Sequence, residues 1–185
     1  MTWSTVHLEQ AGGEGAILFL DIDGVCHPES SSVRTQDNYL FCRLPLLEGW
    51  LRERPGVGVV IASAWRAVHP VDELVGLFTG DLQEQIFGTT PVALRDDWAQ
   101  FDDEPQGDLY IRESEIRYWL HAQGFACRRW AAIDDQPWLF RPFCPNLVMC
   151  DGSVGLTRRE LDRLDVVLGL EEQVTGVRHV PGCLC

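Results

Sequence analysis

The chain has 185 residues and a formal net charge of −13, and all fifteen of its basic residues are arginine. That length suits one domain with a real core, and 45% hydrophobic with 23% charged residues is an ordinary globular balance. The acidity argues against broad, sequence-blind binding along a nucleic-acid backbone, which needs basic residues to neutralise phosphates, but leaves room for a local basic cleft.

The first nine residues lack a basic region followed by an apolar run, so no secretion signal is expected. The first strong element is Ala16-Ile-Leu-Phe-Leu-Asp21, a short continuous apolar run after Gly12, Gly13 and Gly15. It reads as a strand buried on both faces and is far too short to cross a membrane. A cytoplasmic protein without a membrane partner is the expectation. Leu46, Leu47, Trp50 and Leu51 then recur at helical spacing behind Pro45, and Pro55-Gly56 stops them. A second buried strand is expected over Val57–Ala62, and Pro70 opens a helix carrying Leu74, Val75, Leu77 and Phe78.

The acidic stretch from Phe87 to Asp108 reads as loop with one short strand. A helix follows from about Glu113 to Ala122, with Ile116, Trp119 and Leu120 on its apolar face and Gly124 as its stop. Trp130–Asp134 and Asn146–Cys150 are further strands, and Thr157-Arg-Arg-Glu160 is a capping-box pattern before a last helix with Leu161, Leu164, Val167 and Leu168. Of the seven cysteines none forms CxxC, and the tail pair Cys183 and Cys185 offers too few thiolates for a structural zinc site. Reduced cysteines packing as small hydrophobes are expected. The pattern implies one α/β domain over residues 1–185, its core about 16–170 and a tail from 171, built on a mainly parallel sheet. In such sheets the ligand site lies beyond the carboxyl ends of the strands.

Three of the expected strands end in residues suited to phosphate transfer. Asp21-Ile-Asp23-Gly24 follows the first, with two carboxylates at the spacing that faces one site and a glycine that permits a sharp turn. Ser63-Ala64-Trp65-Arg66 follows the second, offering a hydroxyl and then a cation. Asp134-Asp135 ends a third. Carboxylates converging from two strands repel each other unless a cation lies between them, and a hard ion with oxygen ligands such as Mg2+ relieves that repulsion. It would also neutralise a phosphate, and an aspartate can then act as nucleophile through an aspartyl-phosphate.

These elements, in this order, resemble motifs one, two and four of the haloacid dehalogenase (HAD) superfamily. The resemblance implies a three-layer α/β/α Rossmann-like fold and Mg2+-dependent phosphatase chemistry. It also implies Asp21 as nucleophile and Asp23 as general acid/base whose main-chain carbonyl binds metal. Ser63 would hydrogen-bond the transferring phosphate, with Gly24, Ala64 and Arg66 beside the substrate. Asp134 and Asp135 would be the metal-site acids, with Asp135 favoured for direct ligation. The superfamily's third motif is a lysine or arginine; with no lysine in the chain, Arg112 or Arg117 must fill it, and Arg112 is favoured. Phe19-Leu-Asp-Ile-Asp-Gly-Val, Ala64-Trp-Arg66, Arg112-x-x-Glu-Ile-x-x-Trp-Leu, Ile133-Asp-Asp and Gly155-Leu-Thr together also resemble the HAD domains linked to Swiss Army Knife RNA-repair proteins. That narrower likeness implies a terminal phosphate on a nucleic acid as substrate. A small metabolite or nucleotide as substrate, or a non-catalytic domain binding a phosphorylated ligand or protein, are the alternatives.

Other polar residues have blander expectations. His27 reads as a solvated loop histidine and His69 as a helix-start residue. Trp65 suits packing or substrate stacking equally, and Arg66 suits the phosphate or an acid elsewhere. Asp96-Asp97 and Asp102-Asp103-Glu104 read as a solvated loop, and Asp151 has no assigned role. Neither Gly24–Pro55 nor Phe78–Leu109 has the length and apolar periodicity to build a cap domain, so little or no cap and an open site are expected.

Overall fold

The computed structural model describes residues 15–29, 39–92 and 110–170. Five strands, β1 (Ala16–Leu20), β2 (Val57–Ile61), β3 (Ile86–Thr89), β4 (Trp130–Asp134) and β5 (Leu147–Met149), form one sheet in the order β3-β2-β1-β4-β5. Every pairing is parallel. Helices α1 (Leu44–Arg52), α2 (Val71–Val75), α3 (Ile111–Ala122) and α4 (Arg158–Leu168) flank it. No helix among the described residues is long and apolar enough to cross a membrane.

The continuous apolar runs follow from burial on both faces. Along β1, Ala16, Leu18 and Leu20 enter one core cluster, with Leu47 and Leu51 of α1, Leu74 of α2 and Leu161, Leu164 and Leu168 of α4. Ile17 and Phe19 point the other way, into a second cluster with Ile116, Trp119 and Leu120 of α3. The result is the expected three-layer α/β/α fold. Phe19 is fully buried between Trp119 and Trp130, each edge-on with ring centres at 5.6 and 5.9 Å. Truncating such a ring to alanine costs about 3–5 kcal/mol.

Local signals set most element ends. Pro45 lies in the first turn of α1, where its missing N–H costs nothing. Both halves of the Thr157/Glu160 capping box form, and Gly169 ends α4 at φ 62°. Three elements differ from expectation. α3 begins two residues early, at Ile111. α2 stops at Val75, and Leu77 and Phe78 reach the core from the turn that follows. The short strand expected in the acidic stretch is β3, an edge strand paired with β2.

Register positions the site. Leu20 pairs with Ile61 on one side and Ile133 on the other, so the chain leaves β1, β2 and β4 along one edge. Asp21, Ser63 and Asp134 therefore emerge together. Asp96, Asp97, Asp102, Asp103, Glu104, Cys183 and Cys185 lie outside the described residues, as do 30–38 and 93–109, on which the expectation of an open site chiefly rests.

Candidate active site

At that sheet edge, Asp21, Asp134 and Asp135 each offer a carboxylate oxygen within 4.8 Å of the others. Asp21 and Asp134 are buried. Asp21 is held by its own amide, which donates to Ile133 O at 3.1 Å. Asp134 accepts from the Gln136 amide at 2.8 Å and from Arg112 Nη1 at 2.9 Å. Asp135 is different, because its Oδ1 is buried without a hydrogen-bond partner among the described residues. Its Oδ2 lies in a cradle of two glycines: a Cβ added at Gly24 would fall 2.1 Å from that oxygen, and one at Gly152 would fall 2.2 Å away. Gly24 also has φ 69°, a conformation that disfavours side chains.

Crowded, buried acids resist ionising together. Burial first, and then the Asp21 charge, push Asp134 up to about 7 and Asp135 up to about 6. Three converging carboxylates, one with a buried unpartnered oxygen, are a donor set that fits a hard divalent cation.

Arg112, from the first turn of α3, is the cation among them. Its Nη1 lies 3.3 Å from Asp21 Oδ1 as well as 2.9 Å from Asp134, and its side chain is 8% exposed. Arg117 points away, 52% exposed and paired with Glu113 at 2.7 Å. The Arg66 side chain is also buried, but its contacts are with Glu115 and the backbone and not with the three-acid cluster. It pairs closely with Glu115 and donates to Ala62 O and Ser63 O at 2.7 and 2.6 Å. Burial lowers the Arg66 pKa, Glu115 opposes that shift, and nearby Arg112 adds to it.

Ser63 is fully buried and caps the single-turn 3-10 helix Ala64–Ala67, its Oγ accepting the Trp65 amide at 3.4 Å. The hydroxyl proton remains available for donation. Ala64 opens that turn and is exposed.

Asp23 contributes no carboxylate oxygen to the three-acid cluster. Leu20 is the last strand residue, so two-residue alternation does not continue through Asp23. Instead Trp65 Nε1 donates to Asp23 Oδ2 at 2.8 Å, and His27 Nε2 lies 3.1 Å from Asp23 Oδ1. The expectation of a solvated His27 is wrong. It is 2% exposed, because the turn at Gly24 folds the chain back and brings Asp23 and His27 into a β-bridge. Trp65 is more than plain packing, since its indole N–H is committed to Asp23 and its ring stacks on His69 with centres 4.9 Å apart. The missed signal was spacing: a histidine four residues after an acid, across a glycine turn. Asp151 is exposed and accepts from Ser153.

A family model described as the HAD domain in Swiss Army Knife RNA repair proteins matches residues 17–161. No curated protein and no solved structure matches the chain.

Proposed function

Because the chain belongs to the family of HAD domains in Swiss Army Knife RNA repair proteins, which implies phosphatase-type hydrolysis, we propose that it is a Mg2+-dependent phosphomonoesterase acting through an aspartyl-phosphate. The observation that carries this reading is the convergence of Asp21, Asp134 and Asp135 around Arg112 at one sheet edge. Asp21, Asp134 and Asp135, with the Asp23 carbonyl, would hold the ion. When bound, Mg2+ supplies charge neutralisation for the phosphate and favours in-line geometry.

The residues of the chain do the rest. An Asp21 carboxylate oxygen attacks phosphorus while the ester P–O bond breaks. The departing oxygen keeps the bonding electrons and takes a proton from Asp23, leaving as an alcohol. Water then attacks the aspartyl-phosphate and gives its proton to Asp23, which releases inorganic phosphate and restores Asp21. Arg112 stabilises charge on the nucleophile and on the transferring group, and the Ser63 hydroxyl donates to a phosphate oxygen.

The substrate we favour is a terminal phosphate on a nucleic acid. The family supports it, and contact confined to the terminal nucleotides reconciles it with a net charge of −13. The test is turnover of 3′- and 5′-phosphorylated oligonucleotides, nucleotides and sugar phosphates, with and without Mg2+, by the parent and Asp21→Asn. Mg2+-dependent release of phosphate from oligonucleotide ends, abolished in the variant, is expected. Equal activity in the two proteins would sink the mechanism, and hydrolysis of sugar phosphates alone would sink the substrate.

A further inference from the structure

Both oxygens of Asp23 are occupied, and the two partners differ in kind. Indole Nε1–H can only donate, so Trp65, 2.8 Å from Oδ2, requires that oxygen to be an acceptor. The other oxygen, Oδ1, faces His27 Nε2 at 3.1 Å.

The ring itself is held firmly. His27 is 2% exposed and lies edge-on to Tyr39 and Phe41, each with ring centres at 5.4 Å, and to Trp65 at 6.3 Å. Trp65 is braced in turn by Phe41 at 5.4 Å and by a stacked His69 at 4.9 Å. Aromatic packing thus fixes both partners in direction, whereas Asp23 itself is 36% exposed and would otherwise be free to turn. No other described acid near the nucleophile has this arrangement: Asp134 and Asp135 lie in the metal-type cluster.

We propose that Trp65 and His27 are positioning residues that clamp the Asp23 carboxylate in one orientation, one at each oxygen, so that it is directed to protonate the departing alcohol. The inference rests on the phosphatase reading above and concerns one step of it. Trp65 holds Oδ2 and His27 holds Oδ1.

A clamp on the general acid matters in proportion to how badly the leaving group needs a proton. An alkoxide or ribose oxygen needs one and p-nitrophenolate does not, whereas loss of fold or of phosphate binding would slow both alike. The full-length protein is assayed with p-nitrophenyl phosphate and with a 3′-phosphorylated oligonucleotide. The variants are Trp65→Phe, which keeps the ring but loses Nε1–H, and His27→Ala and His27→Gln, the last restoring a side-chain donor and acceptor. Trp65→Phe and His27→Ala are expected to lower kcat on the oligonucleotide by about tenfold or more, while the aryl ester stays within about threefold. His27→Gln should recover much of the loss. Equal effects on the two substrates, or no effect on either, would overturn the clamp. If His27→Ala fails to fold, Trp65→Phe and His27→Gln decide the matter by the same ratio. Asp23→Asn separates this proposal from its premise. If it lacks the leaving-group selectivity itself, Asp23 is not the acid and the underlying mechanism fails. If it shows the selectivity and the clamp variants do not, only the clamp fails.

Discussion

Removing Arg112 tests the centre of the site through both stability and rate. Its guanidinium lies 3.3 Å from Asp21 and 2.9 Å from Asp134, and Glu115 lies 4.0 Å from its Nε. Breaking a buried pair from one side leaves an uncompensated charge and costs about 3–5 kcal/mol. Part of that cost can be relieved by protonation, because Asp134 is already pushed up to about 7 with Arg112 present. Without the cation Asp134 holds its proton more tightly still. Arg112→Ala should therefore be destabilised by about 3 kcal/mol near pH 8, and clearly less near pH 6, where Asp134 is protonated. Arg117→Ala removes an arginine that is 52% exposed and should cost less than about 0.5 kcal/mol at either pH. Urea denaturation of both variants without Mg2+ measures the gap, and turnover with Mg2+ measures catalysis, where Arg112→Ala should lose about a thousandfold and Arg117→Ala almost nothing. Arg112→Ala matching the parent near pH 8, or Arg117→Ala proving the more damaging, would refute the reasoning.

Two more outcomes follow from the acid cluster. Asp134 and Asp135 have folded-state values of about 7 and about 6, above the ordinary 3.8, so the folded chain keeps protons the unfolded chain has lost. Their contribution to stability therefore falls as pH rises through that window, while Asp81, lowered to about 2, acts only below it. Melting of the metal-free protein should drop between about pH 5 and pH 8, and Mg2+ should restore most at the upper end; a flat profile that ignores Mg2+ would contradict this. Gly152→Ala places a Cβ 2.2 Å from Asp135 Oδ2 and must displace that carboxylate. It should raise the Mg2+ concentration needed for activity by about 10–100-fold with the fold retained, and an unchanged Mg2+ titration would remove Asp135 from the ion's ligands.

The fold was legible because burial on both faces leaves continuous apolar runs, and β1, β2 and β4 carry them clearly. β3 and β5 were harder to delimit. Each is a short edge strand, and β3 alternates buried Ile86 and Gly88 with half-buried Phe87 and Thr89, so it blends into the loop around it. The sheet-edge placement of Asp21, Ser63 and Asp134 was legible for the same reason the strands were, since each directly follows an apolar run. The partners of Asp23 were not. They depend on a turn at Gly24 that reverses the chain and on a 3-10 turn that aims Trp65 across 42 positions of sequence. The pairing of Arg66 with Glu115 likewise spans 49 positions, and no periodicity within either segment encodes it.

Counting buried charge shows why the cluster suits a divalent ion. Among the described residues Arg66 pairs closely with Glu115, and Arg112 reaches Asp21 and Asp134. Ionised together, Asp21, Asp134 and Asp135 carry two more charges than one guanidinium offsets, and Asp21 and Asp134 are buried. The chain can answer that excess by retaining protons, which is the meaning of the raised Asp134 and Asp135 values, or by taking up a cation of charge two. The arginine is suited to its share of this task in a way a lysine would not be. A single ammonium is a point charge, whereas the Arg112 fork sends Nη1 between Asp21 and Asp134 and turns Nε toward Glu115, which also holds Arg66. A chain without lysine thus holds Asp21 by geometry as well as by charge, and on the proposed mechanism the Asp135 oxygen that lacks a partner among the described residues would be free for the ion.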